Sequence, residues 1–272
     1  SDRRDGRPIL AEISSDWSRL SQTVDVVSMG LSPIGTSFIA SQYGDWIAAR
    51  RLLVGETKPV WANIQTEFPE SLLAQIATLA RKTPPLPIEP QPVKFLVYEA
   101  ISAGARGLRF GSRSRLDDPS PGTRLRSQTI QWALAHVDQI EPWAVGGALT
   151  GSLANANDEL EIAVIKTNRS RLLLVERPTH HEQYLAGDLP VQPMAIKDST
   201  ANATELAYLI GDTGLQPLSK TRDISGALIR INNCPSMMAI VLTQDPLVIK
   251  KLNSSYERVG KQSILQMHVE LT

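Results

Sequence analysis

The residues best placed to do chemistry lie in "NIQTE", residues 63–67, where an apolar run breaks into polar side chains. Val60, Trp61, Ala62 and Ile64 read as a buried strand, and Gln65, Thr66 and Glu67 then arrive together ahead of Phe68-Pro69. Side chains alternate along a strand, so Trp61, Asn63, Gln65 and Glu67 share one face and Val60, Ala62 and Ile64 the other. Each unsatisfied polar group on that face would cost about 1–3 kcal/mol in a dry core. The row is tolerable where the face looks into a cleft and water or a ligand supplies partners. The expectation is therefore that Asn63, Gln65 and Glu67 line a cavity mouth, with Ile64 packed beneath the 69–82 helix. The competing reading is a polar strand exit.

Other reactive residue types are sparse. Cys234 is the only cysteine, which excludes an internal disulfide and any cysteine-rich zinc site. The four histidines, His136, His180, His181 and His268, lack metal-ligand spacing, so no metal and no cofactor are expected. No Walker or dinucleotide fingerprint occurs, and no Gly-x-Ser-x-Gly elbow. Glu12 closes another apolar run, and Arg109, Arg113 and Arg115 follow a further one. These arginines could orient a carboxylate or phosphate, or pair with Asp117 and Asp118 as a solvated loop.

The elements that must position these groups change character along the chain. "RPILAEI" (7–13), "VDVVSMG" (24–30), "PVWANIQ" (59–65) and "GLRF" (107–110) read as strands. They alternate with helices over 45–54, 69–82, 93–105 and 123–140, which implies βαβ units and a parallel sheet. The step "SPIGTSFIASQYGDW" (32–46) is long for a connection and offers Tyr43 and Trp46 as aromatic surfaces, Tyr43 being the better binding candidate. Beyond "EPWAVGGALTG" (141–151) come seven short extended segments between 160 and 245, separated by Asn, Asp, Gly and Pro. That spacing indicates an antiparallel β-sandwich, closed by helical residues 246–271. Two domains are thus expected, over residues 1–142 and 143–272.

Taken in order, these segments resemble the (β/α)8 glycoside hydrolases, in particular the beta-galactosidase-like branch. "YEAISAGARGLRF" (98–110) is similar to the last helix-to-strand passage of that barrel, and "KPVWANIQTE" (58–67) to the strand before it. "GRPILAEI" and "VDVVSMGLSP" look like the two strands before that. The resemblance implies that the first 142 residues are four of eight βα units, half of a TIM barrel. It places chemistry at the C-terminal strand ends, at Glu12, Met29, Gln65 or Glu67, and Phe110 with its loop. The family's nucleophile falls nearest Gln65, with Glu67 two residues later; an amide cannot attack an anomeric carbon. Glu67 and Glu12 are therefore the catalytic candidates, each with a salt bridge or loop role as its alternative. Gln65, Asn63, Tyr43, Arg109 and Arg113 are candidate substrate contacts.

The acid/base of that family sits on its fourth strand, outside this chain, so the isolated chain is expected to be inactive. The first residues, Ser1-Asp2-Arg3-Arg4-Asp5-Gly6, start without methionine, which suits part of a longer protein or a processed start. The implied partners are a carbohydrate ligand and either a missing N-terminal barrel half or a second copy, since an open parallel sheet has bare edges. The alternative is a non-catalytic carbohydrate-binding or assembly module with the half-barrel as scaffold. A net charge of zero and a pI near 6.9 do not point to nucleic acid. No apolar run reaches the roughly 18 residues of a membrane span. The sequence does not indicate a location.

Overall fold

The computed structural model describes residues 6–55, 57–79, 88–153, 160–177, 191–202, 204–223 and 226–261. The adjacent histidines His180 and His181, and His268, lie outside them, as does the helical end expected past residue 261. Four parallel strands come first: β1 (Leu10–Glu12), β2 (Val26–Gly30), β3 (Val60–Gln65) and β4 (Gly107–Gly111), side by side in chain order. Helices α1 (Trp17–Leu20), α2 (Gln42–Val54), α3 (Glu70–Leu79) and α4 (Pro90–Ser102) connect them. One face of this sheet carries Val27, Met29, Val60, Ala62 and Ile64, all buried. Each such aliphatic side chain is worth about 1.5–3 kcal/mol on burial.

The helix that packs on β3 is α4, not the 69–82 segment that the sequence suggests. α3 buries none of its residues, and Leu79 stands 85% exposed. α4 is apolar nearly all round, from Val93 through Phe95, Leu96 and Val97 to Ile101, and such a helix belongs between two layers. Its far side meets the second half of the chain.

α5 (Pro121–Gly146) leads from the parallel sheet into that second half. Ser120 caps it by accepting a hydrogen bond from the Thr123 N–H at 3.4 Å, and Pro121 takes the first helical position. The helix runs through Pro142 rather than ending near Ile140. Trp143 is 1% exposed and Ala144 7%, so core packing carries the last turn past the missing N–H. The Gly147 N–H then returns to the Trp143 carbonyl at 2.9 Å and closes it.

Two antiparallel sheets follow. β5 (Ala148–Ser152), β6 (Glu161–Lys166), β7 (Ser170–Glu176), β9 (Leu206–Gly211), β10 (Gly214–Pro217) and β13 (Met237–Thr243) form a six-stranded sheet, ordered β10-β9-β13-β7-β6-β5. β8 (Gln192–Asp198), β11 (Ser219–Asp223) and β12 (Gly226–Cys234) form a three-stranded one. The stretch 215–223, expected as one strand, divides at Leu218 between the two sheets: the Leu218 N–H still donates to the Ala207 carbonyl of β9 at 2.9 Å, and from Ser219 the chain pairs with β12 instead. α6 (Pro246–Ser255) and a π-helical turn, Tyr256–Gly260, complete the described residues.

The central strands β7 and β13 are buried along their whole length. Leu172, Leu174, Ala239 and Val241 join the core beneath α4 and α5, whereas Leu173, Val175, Ile240 and Leu242 join a second core with Ile196, Ile229 and Ile231 of the three-stranded sheet. The order of layers is parallel sheet, helices, six-stranded sheet, three-stranded sheet.

Candidate functional site

The face of the parallel sheet turned away from the helices is polar. The register sets Glu12 beside Ser28, Gly30 beside Asn63, and Asn63 in turn beside Arg109. The Glu12 carboxylate lies over Gly30, and the Asn63 amide approaches the same spot; a β-carbon on residue 30 would collide with both. Glu12 Oε2 accepts a hydrogen bond from Arg109 Nη1 at 2.8 Å, with both side chains about half exposed. The Ser28 hydroxyl donates to Asn63 Oδ1 at 3.3 Å. Trp61, two residues before Asn63, lies over Gly107 and is 37% exposed. Alternation puts Trp61 on this face, but only the exposure of its ring marks it as a surface on which a ligand could stack.

A second cluster sits where β3 ends. Gln65 is 5% exposed and uses its whole amide: Oε1 accepts from the Ile34 N–H at 2.8 Å, and Nε2 donates to the Ile34 and Glu67 carbonyls, each at 2.9 Å. It clamps the long loop after β2 to the end of β3. The Thr66 hydroxyl donates to the Gly111 carbonyl and ties β3 to β4. Thus Gln65 reads as a scaffold residue, and its amide has no donor left over for a ligand.

Glu67 leans away from the sheet face toward the loop after β4. Its Oε1 accepts from the Ser114 hydroxyl and from Arg126 Nη1, and its Oε2 accepts from the Arg113 N–H at 2.7 Å. Burial pushes this carboxyl up, but the Ser114 hydroxyl, the Arg113 N–H and the Arg126 charge together outweigh it. It sits below the usual glutamate range. Arg113 also donates to the Phe68 carbonyl at 2.7 Å and lies 3.5 Å from Glu70, so it acts as a loop tie. The cleft here, about 520 Å³, is lined by Thr66, Glu67, Phe68, Arg113, Ser114 and Arg126. Arg126 comes from α5, and sequence spacing gave no signal for it because it is 59 residues from its carboxylate.

Tyr43 is not an open aromatic surface. It is fully buried, its ring stacks on Trp46 with centroids 6.4 Å apart, and its hydroxyl donates to the Asn63 carbonyl at 2.7 Å. Burial and the nearby Glu99 charge raise its hydroxyl well above the ordinary tyrosine value. The apolar face of α2 draws it inward. Arg115, by contrast, pairs with Asp117 at 2.7 Å in the solvated manner one reading of that loop expects.

Retaining sugar hydrolysis needs two carboxyl groups about 5.5 Å apart, one of them free to attack. Glu67 has its oxygens committed to three donor groups, whereas Glu12 faces solvent with Arg109 beside it. Glu12, Asn63, Arg109 and Trp61 together can bind and orient a polyhydroxylated ligand. No group of three or more metal-binding side chains occurs among the described residues. Nor, among these, is any helix long and apolar enough to cross a membrane.

No family model matches the chain, and no curated protein matches it. Among solved structures it is similar to an alpha-amylase from Anoxybacillus, at 12% identity and a TM-score of 0.47, covering 87% of this chain and 52% of that one. It is also similar to a GH30 endoxylanase from Clostridium papyrosolvens, at 9% identity and a TM-score of 0.44, covering 82% and 50%. A maltogenic alpha-amylase from Thermotoga neapolitana gives 14% identity and 0.44, covering 86% and 55%. The chain spans about half the length of these structures. A likeness of that size carries no argument about activity, which has to come from the residues themselves.

Proposed function

We propose that this chain supplies four βα units of a (β/α)8 glycoside-hydrolase-like protein of the beta-galactosidase-like branch, and that it binds carbohydrate on the helix-free face of its parallel sheet. What supports this reading is one arrangement: four parallel strands in chain order, with Glu12, Asn63, Arg109 and Trp61 on the face that a closed barrel would turn inward. On this reading residues 1–142 are the half-barrel and 143–272 the sandwich with its terminal helices. The edges at β1 and β4 then await another barrel half or a second copy. The chain alone does not hydrolyse glycosides, because the acid/base implied by the resemblance belongs to a strand outside these four.

The engagement of Glu67 by Arg126, Ser114 and Arg113 favours a second reading, a carbohydrate-binding or assembly module without a catalytic role. The test is a titration of the protein with oligosaccharides, read by tryptophan fluorescence, beside an aryl-glycoside assay. Saturable quenching lost in Trp61→Ala, without release of the aryl group, is the expected result. Turnover abolished by Glu67→Gln would overturn the inactive half-barrel, and absence of any binding would overturn carbohydrate recognition in both readings and leave only the assembly role.

A further inference from the structure

A second cavity, also about 520 Å³, lies between α4 and the six-stranded sheet, apart from the face described above. Four carboxylates line it, Asp45, Glu99, Glu161 and Glu176, and no lysine, arginine or histidine does so among the described residues. Glu99 of α4 is 5% exposed and Glu176 of β7 8%. Glu161 stands directly opposite Glu176 in the β6–β7 ladder, an arrangement of like charges that weakens a sheet. Asp45 and Glu161 are exposed, and so mark the mouth.

The deep pair is built in with care. Glu99 Oε2 accepts the Gly44 N–H at 2.8 Å, and residue 44 is a glycine where a β-carbon would collide with that carboxylate. The Glu99 and Glu176 carboxyls lie close enough to influence each other's protonation. Glu176 Oε1, buried, has no hydrogen-bond partner among the described residues. Buried acceptors of this kind are rarely left unsatisfied, and a lone charge there is costly. Burial, above all, raises both carboxyls, Glu99 to about 7, so near neutrality the pair holds a proton between them.

We propose that this cavity binds a short organic diamine, with one primary ammonium at the Glu99–Glu176 pair and the other at Asp45 in the mouth. A primary ammonium carries three donors and no acceptor, which suits an unsatisfied carboxylate oxygen. Leu149, Leu174 and Met237 give the cavity apolar lining, along which the methylene chain lies. A bare metal ion fits less well, since calcium requires six to eight oxygens and no metal-binding group occurs among the described residues. As the ammonium enters, the proton held by the deep pair leaves to solvent, so binding releases a proton. The inference is independent of the carbohydrate reading and stands or falls separately.

The experiment is calorimetric titration of the full chain with 1,4-diaminobutane at pH 6 and pH 8, in two buffers of different ionisation enthalpy. Saturable one-site binding is expected, roughly tenfold tighter at pH 8, with heats that differ between buffers as proton release requires. Glu176→Gln keeps the shape of the site and should weaken binding at least about tenfold and reduce the buffer dependence, since Glu99 remains raised by burial. Asp45→Asn, at the exposed mouth, should weaken binding severalfold without disturbing the fold. Absence of saturable binding at pH 8, or binding indifferent to both substitutions, overturns the proposal. Calcium chloride competing on equal terms would overturn the organic class of ligand.

Discussion

Glu12, at the end of the first parallel strand, accepts a hydrogen bond from Arg109 on the fourth, at 2.8 Å, across two intervening strands. Three strand spacings amount to about 14 Å, and the pair closes that span by bending over the bare α-carbon of Gly30. Gly30→Ala should therefore push the Glu12 and Asn63 side chains aside, and because both contacts are the ends of flexible side chains the loss should stay under about 1 kcal/mol while the Glu12–Arg109 contact is displaced. Arg109→Ala should also cost under about 1 kcal/mol, because both partners are half exposed. Denaturant unfolding of the two variants checks this, and a loss above about 2 kcal/mol in either would contradict it.

Glu67 makes the opposite comparison. Its ion pair with Arg126 is largely buried, 17% and 8% exposed, so removing one charge strands the other at a cost of about 3–5 kcal/mol. Glu67→Gln should lower the melting temperature markedly. Its folded-state carboxyl lies below the ordinary value, so its contribution is complete above the unfolded glutamate value near 4.5 and is lost as pH falls through the lower folded one. The gap in stability between wild type and Glu67→Gln should accordingly narrow below pH 4. A gap that stays constant down to pH 3 would rule this out.

The Glu99–Glu176 pair works with the reverse sign. Both carboxyls are raised, so between about 4.5 and 7 the folded chain holds more protons than the unfolded one. Stability should fall as pH rises through that window. Glu176→Gln removes one of the two carboxyls that burial raises, and its melting temperature should decline less than that of the wild type between pH 5 and pH 8. Parallel curves for the two proteins would refute the shared proton.

Tyr43→Phe tests the scaffold beneath the sheet face. The substitution keeps the ring on Trp46 but leaves the Asn63 carbonyl without its 2.7 Å donor. A loss of about 1 kcal/mol is expected, with unchanged carbohydrate titration. Altered ligand affinity at unchanged stability would return Tyr43 to the binding site.

Much of this architecture is legible in the chain itself. Hydrophobic period separates the parallel strands from their helices, and alternation in "VWANIQ" places Asn63 and Trp61 away from Ile64. What could not be read depends on distance. Arg126 meets Glu67 only because α5 folds back over the loop after β4, and nothing local announces it. Tyr43 carries the composition of a sugar platform, and only packing shows that the ring faces inward. The strand at 215–223 divides because the residues beyond Leu218 leave β9 for β12, a partner that nothing local announces. The loop expected to be open and basic keeps Arg115 solvated yet spends Arg113 on holding Glu67.

α5 has one more implication. It packs against α4 on one side and against β6, β7 and α6 on the others, and Ala133, Ile140 and Trp143 belong to a core that runs from Val27 through to Val241. The first four strands and the six-stranded sheet therefore share a keel, and they should open as one cooperative unit in native-state hydrogen exchange. Inheritance is constrained in the same way. A recombination joint placed at residue 142 would split the keel and leave Trp143 on the wrong partner, whereas one placed at Gly147 would pass the whole helix on intact.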